Sequence, residues 1–196
     1  MKGPLLGMVH GRFQPFHLGH LEYARMAAER CERLLVGITN PDPSHIRPEA
    51  ADAHRSDPQA NPFPYHLRYR MVRAALEDAG IQPAAIVPFP IHEPQLWPHY
   101  VPTGTTQFLR VFSDWGKEKR RRLEAAGYQV VVLDAAAGKS VSGARVRRLL
   151  ATGGAWADLV PPAVAALVNQ ARVDTSGDIG DHGLHTKRRC EEAVVP

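Results

Sequence analysis

Cysteine is nearly missing from this chain. Cys31 falls in a helical pattern and Cys190 in a polar tail, so a disulfide framework is not expected and a reducing cytoplasm is the expected setting. Long apolar runs are missing too. None approaches the roughly 20 residues that span a bilayer, and the opening stretch MKGPLLGMVH has one lysine and too short an apolar segment for a secretory signal. No membrane partner is expected. The basic excess is small and local. Lys117, Lys119, Arg120, Arg121 and Arg122, less Glu118, account for the whole formal net charge of +4 and for the pI near 9.3. That run has no interleaved aromatic residues, which argues against a nucleic-acid partner. It reads either as a solvated helix face or as a phosphate-facing one.

What is present is alternation. LLGMVH and LLVGIT (Leu34 to Thr39) are short continuous apolar runs, as strands buried on both faces are. AAIVPFPI holds Pro88 and Pro90 and belongs near a sheet edge. TQFLRVFS and YQVVVL are further strands. Helical spacing covers Leu18 to Glu29, Tyr65 to Ala79, the basic segment, Gly143–Thr152, and Ala155–Arg172, the last broken at Pro161 and Pro162. This order predicts an α/β fold: a doubly wound, Rossmann-like parallel sheet of about five strands with helices on both faces. One domain is expected over residues 1–173, carrying a long Pro- and Asp-rich loop at 41–64, with a flexible tail over 174–196. His182 and His185 in that tail carry no expected metal role.

In such a sheet ligands collect at the C-terminal strand edges, and the first strand runs straight into GRFQPFHLGH (11–20). Gly11 permits close backbone approach, and Phe13 and Phe16 can anchor the loop in the core. A helix beginning near Leu18 aims free N–H groups and its positive dipole end at the loop, which suits an anion. His17 and His20 share one face of that first turn. Beside a polyphosphate they would act as charge stabilisers and donors. A zinc site would need ligands that no nearby cluster supplies. GKS at 138–140 lacks the P-loop glycine five residues before Gly138, where Leu133 stands.

The whole string resembles the signature of the HxGH nucleotidyltransferase superfamily. Its longer form is most similar to archaeal-type nicotinamide mononucleotide (NMN) adenylyltransferases and to related cytidylyltransferases of phosphonate antibiotic pathways. VSGARVRR (141–148) stands where that superfamily has its second signature, and NPF (61–63), Arg68, Trp97 and WADLVPPAVAALV (156–168) extend the similarity to about residues 5–170. The resemblance implies His17, His20 and Arg147 as catalytic phosphate contacts. It implies Gly11, Arg12, Phe13, Gly19, Lys139, Ser142 and Gly143 around the nucleotide, and Asn61, Arg68 and Trp97 around the acceptor, with Trp97 stacking the acceptor ring. Ser142 is independently a good N-cap, and the arginine fork suits phosphate oxygens.

The implied reaction moves a nucleoside monophosphate from an NTP to a small acceptor's phosphate or phosphonate oxygen, releasing pyrophosphate. Such an acceptor is largely ionised at neutral pH and needs no general base, which agrees with the lack of any nucleophile triad. Mg²⁺ is expected on the nucleotide phosphates rather than in a protein cage. Ala144 replaces the family threonine, SDWG (113–116) replaces an SGN-like turn, and a long insertion precedes NPF. Two substrate readings therefore stand: ATP with NMN, or CTP with a small phosphonate such as phosphonoformate. A non-catalytic nucleotide-sensing module is the alternative of another class, and a homo-oligomer is compatible with all three. Asp114 is expected either to contact the base or ribose or to cap the basic helix.

Overall fold

The computed structural model describes residues 3–48, 56–133 and 141–177. Among them, strands β1 (Leu6–Gly11), β2 (Arg33–Thr39), β3 (Ala85–Phe89), β4 (Thr106–Leu109) and β5 (Val130–Val132) form a parallel sheet in the order β3-β2-β1-β4-β5. Its registers include Met8 opposite Leu35 on one side and Gln107 on the other. β1 and β2 are almost entirely buried, which is why they read as unbroken apolar runs. β3 lies at an edge, where Pro88 removes no interior ladder bond. Only the first half of TQFLRVFS pairs, and Arg110 leaves the sheet just after β4.

Helices α1 (Leu18–Ala28), α2 (Tyr65–Asp78), α3 (Trp97–Tyr100), α4 (Asp114–Ala125), α5 (Gly143–Thr152) and α6 (Pro162–Gly177) surround the sheet. On one face Tyr23 and Ala24 of α1, Met71 and Leu76 of α2, Val146 of α5, and Val164 and Val168 of α6 pack over Val9, Val36 and Phe108. On the other face Trp97 of α3 and Trp115 and Leu123 of α4 pack over Met8, Leu35 and Leu109. Burying each such large side chain contributes about 1.5–3 kcal/mol against chain entropy.

Two expectations shift. Pro161 and Pro162 do not break a helix; Pro162 opens α6, where a missing N–H costs nothing and the fixed φ already suits a helix. α6 then runs to Gly177, past the expected end of the domain at Val173. Part of the 41–64 loop and most of the expected tail, with His182, His185 and Cys190, lie outside the described residues.

The strand order carries the functional consequence. From β1 the chain steps to β2 and β3 in one direction, and β4 then lies on the opposite side of β1. Segments leaving β1 and β4 diverge, opening a crevice above their C-terminal ends.

Candidate active site

A cavity of about 570 Å³ fills that crevice, the size of a small-molecule site. One half is made by the loop after β1 and the starts of α1 and α5. Phe13 sits at φ 51°, a conformation unusual for a bulky residue, held because its ring is 1% exposed in the core beside Phe16. The expected anchoring by both phenylalanines is therefore observed. His17 is the N-terminal flanking residue of α1, and its backbone N–H donates to Nδ1 of His20 at 3.3 Å. Because that nitrogen accepts, neutral His20 carries its proton on Nε2. The two imidazoles stack with centroids 3.6 Å apart and planes 19° apart, and Phe13 meets His20 edge-on at 5.0 Å. A Cβ at Gly19 would lie 3.3 Å from the His17 ring, close enough that the ring must give by a few tenths of an ångström.

The second helix start meets the first through Gln14. Ser142 caps α5, its Oγ accepting from the Arg145 backbone N–H at 3.2 Å. Arg147 donates to the Gln14 carbonyl at 2.7 Å. The Gln14 side chain donates to the Phe63 carbonyl at 3.0 Å and accepts from the Phe63 N–H at 2.9 Å. One residue thus ties the β1 loop to α5 and to the NPF segment. Burial lowers the Arg147 pKa somewhat, and the Asp57 charge acts against this. Gly11, Arg12, Phe13, His17, Gly19, His20, Ser142, Gly143 and Arg147 all line the cavity, as does Ala144.

The structure places four of the expected site residues outside the cavity lining. Trp97 is fully buried outside the cavity, its indole N–H donating to the Pro90 carbonyl at 2.8 Å and its ring stacked on Phe89; it is core, not a stacking platform. Arg68 is 2% exposed and donates to the carbonyls of Arg12, Thr39, Asn40 and Pro41, so it positions two loops rather than an acceptor. Asn61 also lies back from the lining, accepting from Arg12 at 3.4 Å and donating to the Asp57 carbonyl at 3.0 Å. Asp114 is exposed and paired with Lys117 at 2.9 Å, while Ser113 takes the flanking position of α4; the carboxylate neither lines the cavity nor serves as the cap. Lys139 lies outside the described residues.

The basic run divides. Arg120 pairs with Glu124 and Arg121 with Glu118 on the exposed side of α4, while the half-buried Arg122 also meets Glu118 and lies over the Trp115 ring. Lys119 lines the cavity instead. So do residues that the sequence reading passed over: His10 at the end of β1, Gln14, His92, and Arg110, which donates to the Gly19 carbonyl at 3.2 Å and to Glu22 at 3.0 Å. The helical period offered one signal, since Trp115, Gly116 and Lys119 share a face. Among the described residues no aspartate or glutamate lines the cavity, and no group of three or more His, Cys, Asp or Glu side chains is placed to hold a metal. A walled site with three arginines, a lysine and four histidines suits a polyanion. No described helix is long and apolar enough to cross a membrane.

Comparison with known proteins agrees with this arrangement. A profile of the cytidylyltransferase-like family matches residues 8–149. The phosphonoformate cytidylyltransferase of Streptomyces viridochromogenes is 47% identical over 170 residues, covering 86% of this chain and 92% of that protein. A nicotinamide-nucleotide adenylyltransferase of Saccharolobus solfataricus is 32% identical over the same shares of both chains. Among solved structures, a bifunctional NMN adenylyltransferase/ADP ribose pyrophosphatase from Francisella tularensis superposes with a TM-score of 0.64 at 18% identity. That match covers 91% of this chain and about half of the bifunctional protein (52%), so it bears on the fold alone. A family profile over most of the chain, and relatives matched along nearly their whole length, mean that the chain belongs to the cytidylyltransferase-like family and is a nucleotidyltransferase.

Proposed function

We propose that the chain transfers CMP from CTP to the phosphonate oxygen of a small acceptor such as phosphonoformate, releasing pyrophosphate. The observation that carries this reading is the 47% identity to a phosphonoformate cytidylyltransferase, against 32% for the adenylyltransferase compared above. Trp97, which the resemblance expects to stack the acceptor ring, is buried outside the cavity, so a pyridine acceptor lacks its expected platform. Cys31, a free thiol, suits a reducing cytoplasm.

An ionised acceptor oxygen attacks the α-phosphorus in line. A new P–O bond forms, the bond to the β-phosphate bridging oxygen breaks, and pyrophosphate leaves with the electron pair. With no proton to remove, catalysis consists of positioning and charge stabilisation. His20, its Nε2 proton fixed by the His17 backbone, donates to phosphate oxygens, and His17 adds a second imidazole. The first N–H groups of α1 and α5 and the Arg147 and Arg12 guanidiniums meet charge that grows on the leaving group. The cavity fits a metal ion carried on the phosphates rather than one caged by side chains, since its described lining holds no carboxylate. Mg²⁺ carried there would neutralise triphosphate charge.

The test is a pyrophosphate-release screen of four NTPs against phosphonoformate, simple phosphonates, NMN and nicotinate mononucleotide. Activity with CTP and phosphonates is expected. Activity confined to ATP with the pyridine nucleotides would make the chain an adenylyltransferase. Nucleotide binding without pyrophosphate release from any pair would make it a sensor.

A further inference from the structure

The cavity has a second half, reached from the opposite face of the sheet. His10 of β1, Ile91 and His92 after β3, and Trp115, Gly116 and Lys119 of α4 line it. His10 is 3% exposed, and neither of its ring nitrogens has a hydrogen-bond partner. The neighbouring Gln107 side chain favours the charged imidazole without completing a bond, and its own Oε1 is also unpartnered. Packing holds the ring in place, tilted against Phe89 with centroids 5.3 Å apart. Buried polar atoms without partners are uncommon in native proteins. One that lines a ligand cavity is available to a ligand.

Charge and direction narrow the ligand. Burial, and then the Lys119 charge, push the His10 pKa well below its ordinary value, so the ligand-free imidazole is neutral and offers one N–H donor. The phosphate-binding groups His17, His20, Ser142 and Arg147 occupy the other half. In-line attack needs the acceptor on the side of the α-phosphorus away from the departing pyrophosphate.

We propose that His10 and Lys119 form the acceptor subsite and read the second anionic group of a compact carboxyphosphonate. The phosphonate oxygen faces the α-phosphorus. The carboxylate accepts a hydrogen bond from the His10 ring, and the half-buried Lys119 ammonium offsets its charge. This inference rests on the nucleotidyl-transfer reading above and assigns the residues that select its acceptor.

The test is steady-state pyrophosphate release by the full chain at saturating CTP, with phosphonoformate varied, alongside CTP binding without acceptor. Loss of a hydrogen bond to a charged group predicts a phosphonoformate KM raised roughly 10- to 100-fold in His10→Leu and in Lys119→Met. The CTP KM should stay within about twofold, a split that a purely structural role would not produce. His10→Gln, which keeps an N–H donor, should recover much of the loss. A wild-type phosphonoformate KM in His10→Leu, or a CTP KM that rises in parallel, overturns the inference. Should His10→Leu fail to fold, Lys119→Met decides: a raised acceptor KM supports the subsite, and an unchanged one overturns it. A wild-type chain that transfers nothing from CTP to phosphonoformate overturns the substrate reading itself, a distinct failure.

Discussion

Gly143→Ala tests whether the two helix starts must meet at a fixed separation. A Cβ at Gly143 would lie 2.9 Å from the Gln14 carbonyl oxygen and 3.1 Å from Nη1 of Arg147. Ordinary contact begins at 3.4 Å, so α5 and the β1 loop must separate by about 0.5 Å (3.4 − 2.9). The 2.7 Å Arg147–Gln14 bond lies in the path of that shift. If a displacement of about 1 Å costs on the order of 10²-fold in rate, half of it costs about tenfold in kcat. Stability changes less, because opposing effects meet. Losing a hydrogen bond from a charged donor costs about 1.5–3 kcal/mol, and alanine in place of a helical glycine returns about 0.5–1 kcal/mol. The net loss is about 0.5–2.5 kcal/mol, or roughly 1–10 °C in Tm for a domain of this size. Pyrophosphate release at saturating substrates and a thermal melt measure both quantities. A variant with wild-type kcat would refute the idea that this junction sets catalytic geometry.

His20→Ala should lower kcat by about 10²-fold or more with a near-normal melt, and His17→Ala should add some loss of stability because His17 is buried; unchanged turnover in both would remove the histidines from the phosphate site. Trp97→Ala should destabilise by about 3–5 kcal/mol in urea titrations without a selective change in acceptor KM, and a wild-type midpoint would contradict its place in the core. Asp114→Asn should leave nucleotide KM and Tm unchanged, since the carboxylate meets solvent and Lys117; a tenfold rise in KM would return it to the site. The pH dependence follows from His10, whose folded pKa lies below the unfolded value near 6.5 through burial and then Lys119, with Gln107 opposing. Below about pH 6.5 the unfolded chain takes up a proton that the native state does not, so stability falls as pH drops towards the folded pKa. Urea midpoints at pH 7.5 and 5.5 should therefore converge more closely in His10→Gln than in wild type, and equal slopes would refute it.

What the sequence displays is what local pattern encodes. Apolar runs report strands buried on both faces, and the turn His17-Leu18-Gly19-His20 reports a helix start facing an anion. Ser142 reports the second start in the same way. What it conceals depends on partners far along the chain. Arg68 has the chemistry of a phosphate clamp, yet the carbonyls it meets belong to residues 12 and 39–41, and only the folded loops turn them towards it. Trp97 looks like a stacking platform until the Pro90 carbonyl and the Phe89 ring enclose it. His10 ends an apolar strand, so nothing nearby distinguishes it from an ordinary sheet residue. Lys119 is hidden among four other basic residues and is separated from them only by helical phase. Asp114 and Ser113 differ by one position, and that single step decides which of them flanks the helix.

Arg68 has a consequence beyond holding loops. Burial draws its pKa down to about 10, so it remains charged at neutral pH, close behind a cavity whose described lining contains no carboxylate. Carbonyl dipoles soften the Arg68 charge, and Glu22 pairs with Arg110 from outside the lining, so the ligand-free molecule gathers basic groups around a crevice whose described walls hold no carboxylate. The substrate brings negative charge into the crevice itself. A nucleotide held at a hundredfold excess over its Kd adds about 2.7 kcal/mol to any native state that alone binds it, a sizeable fraction of what keeps an ordinary domain folded. The triphosphate is in this sense a structural component of the protein that it later leaves as pyrophosphate, and each turnover briefly returns the chain to its least stable form.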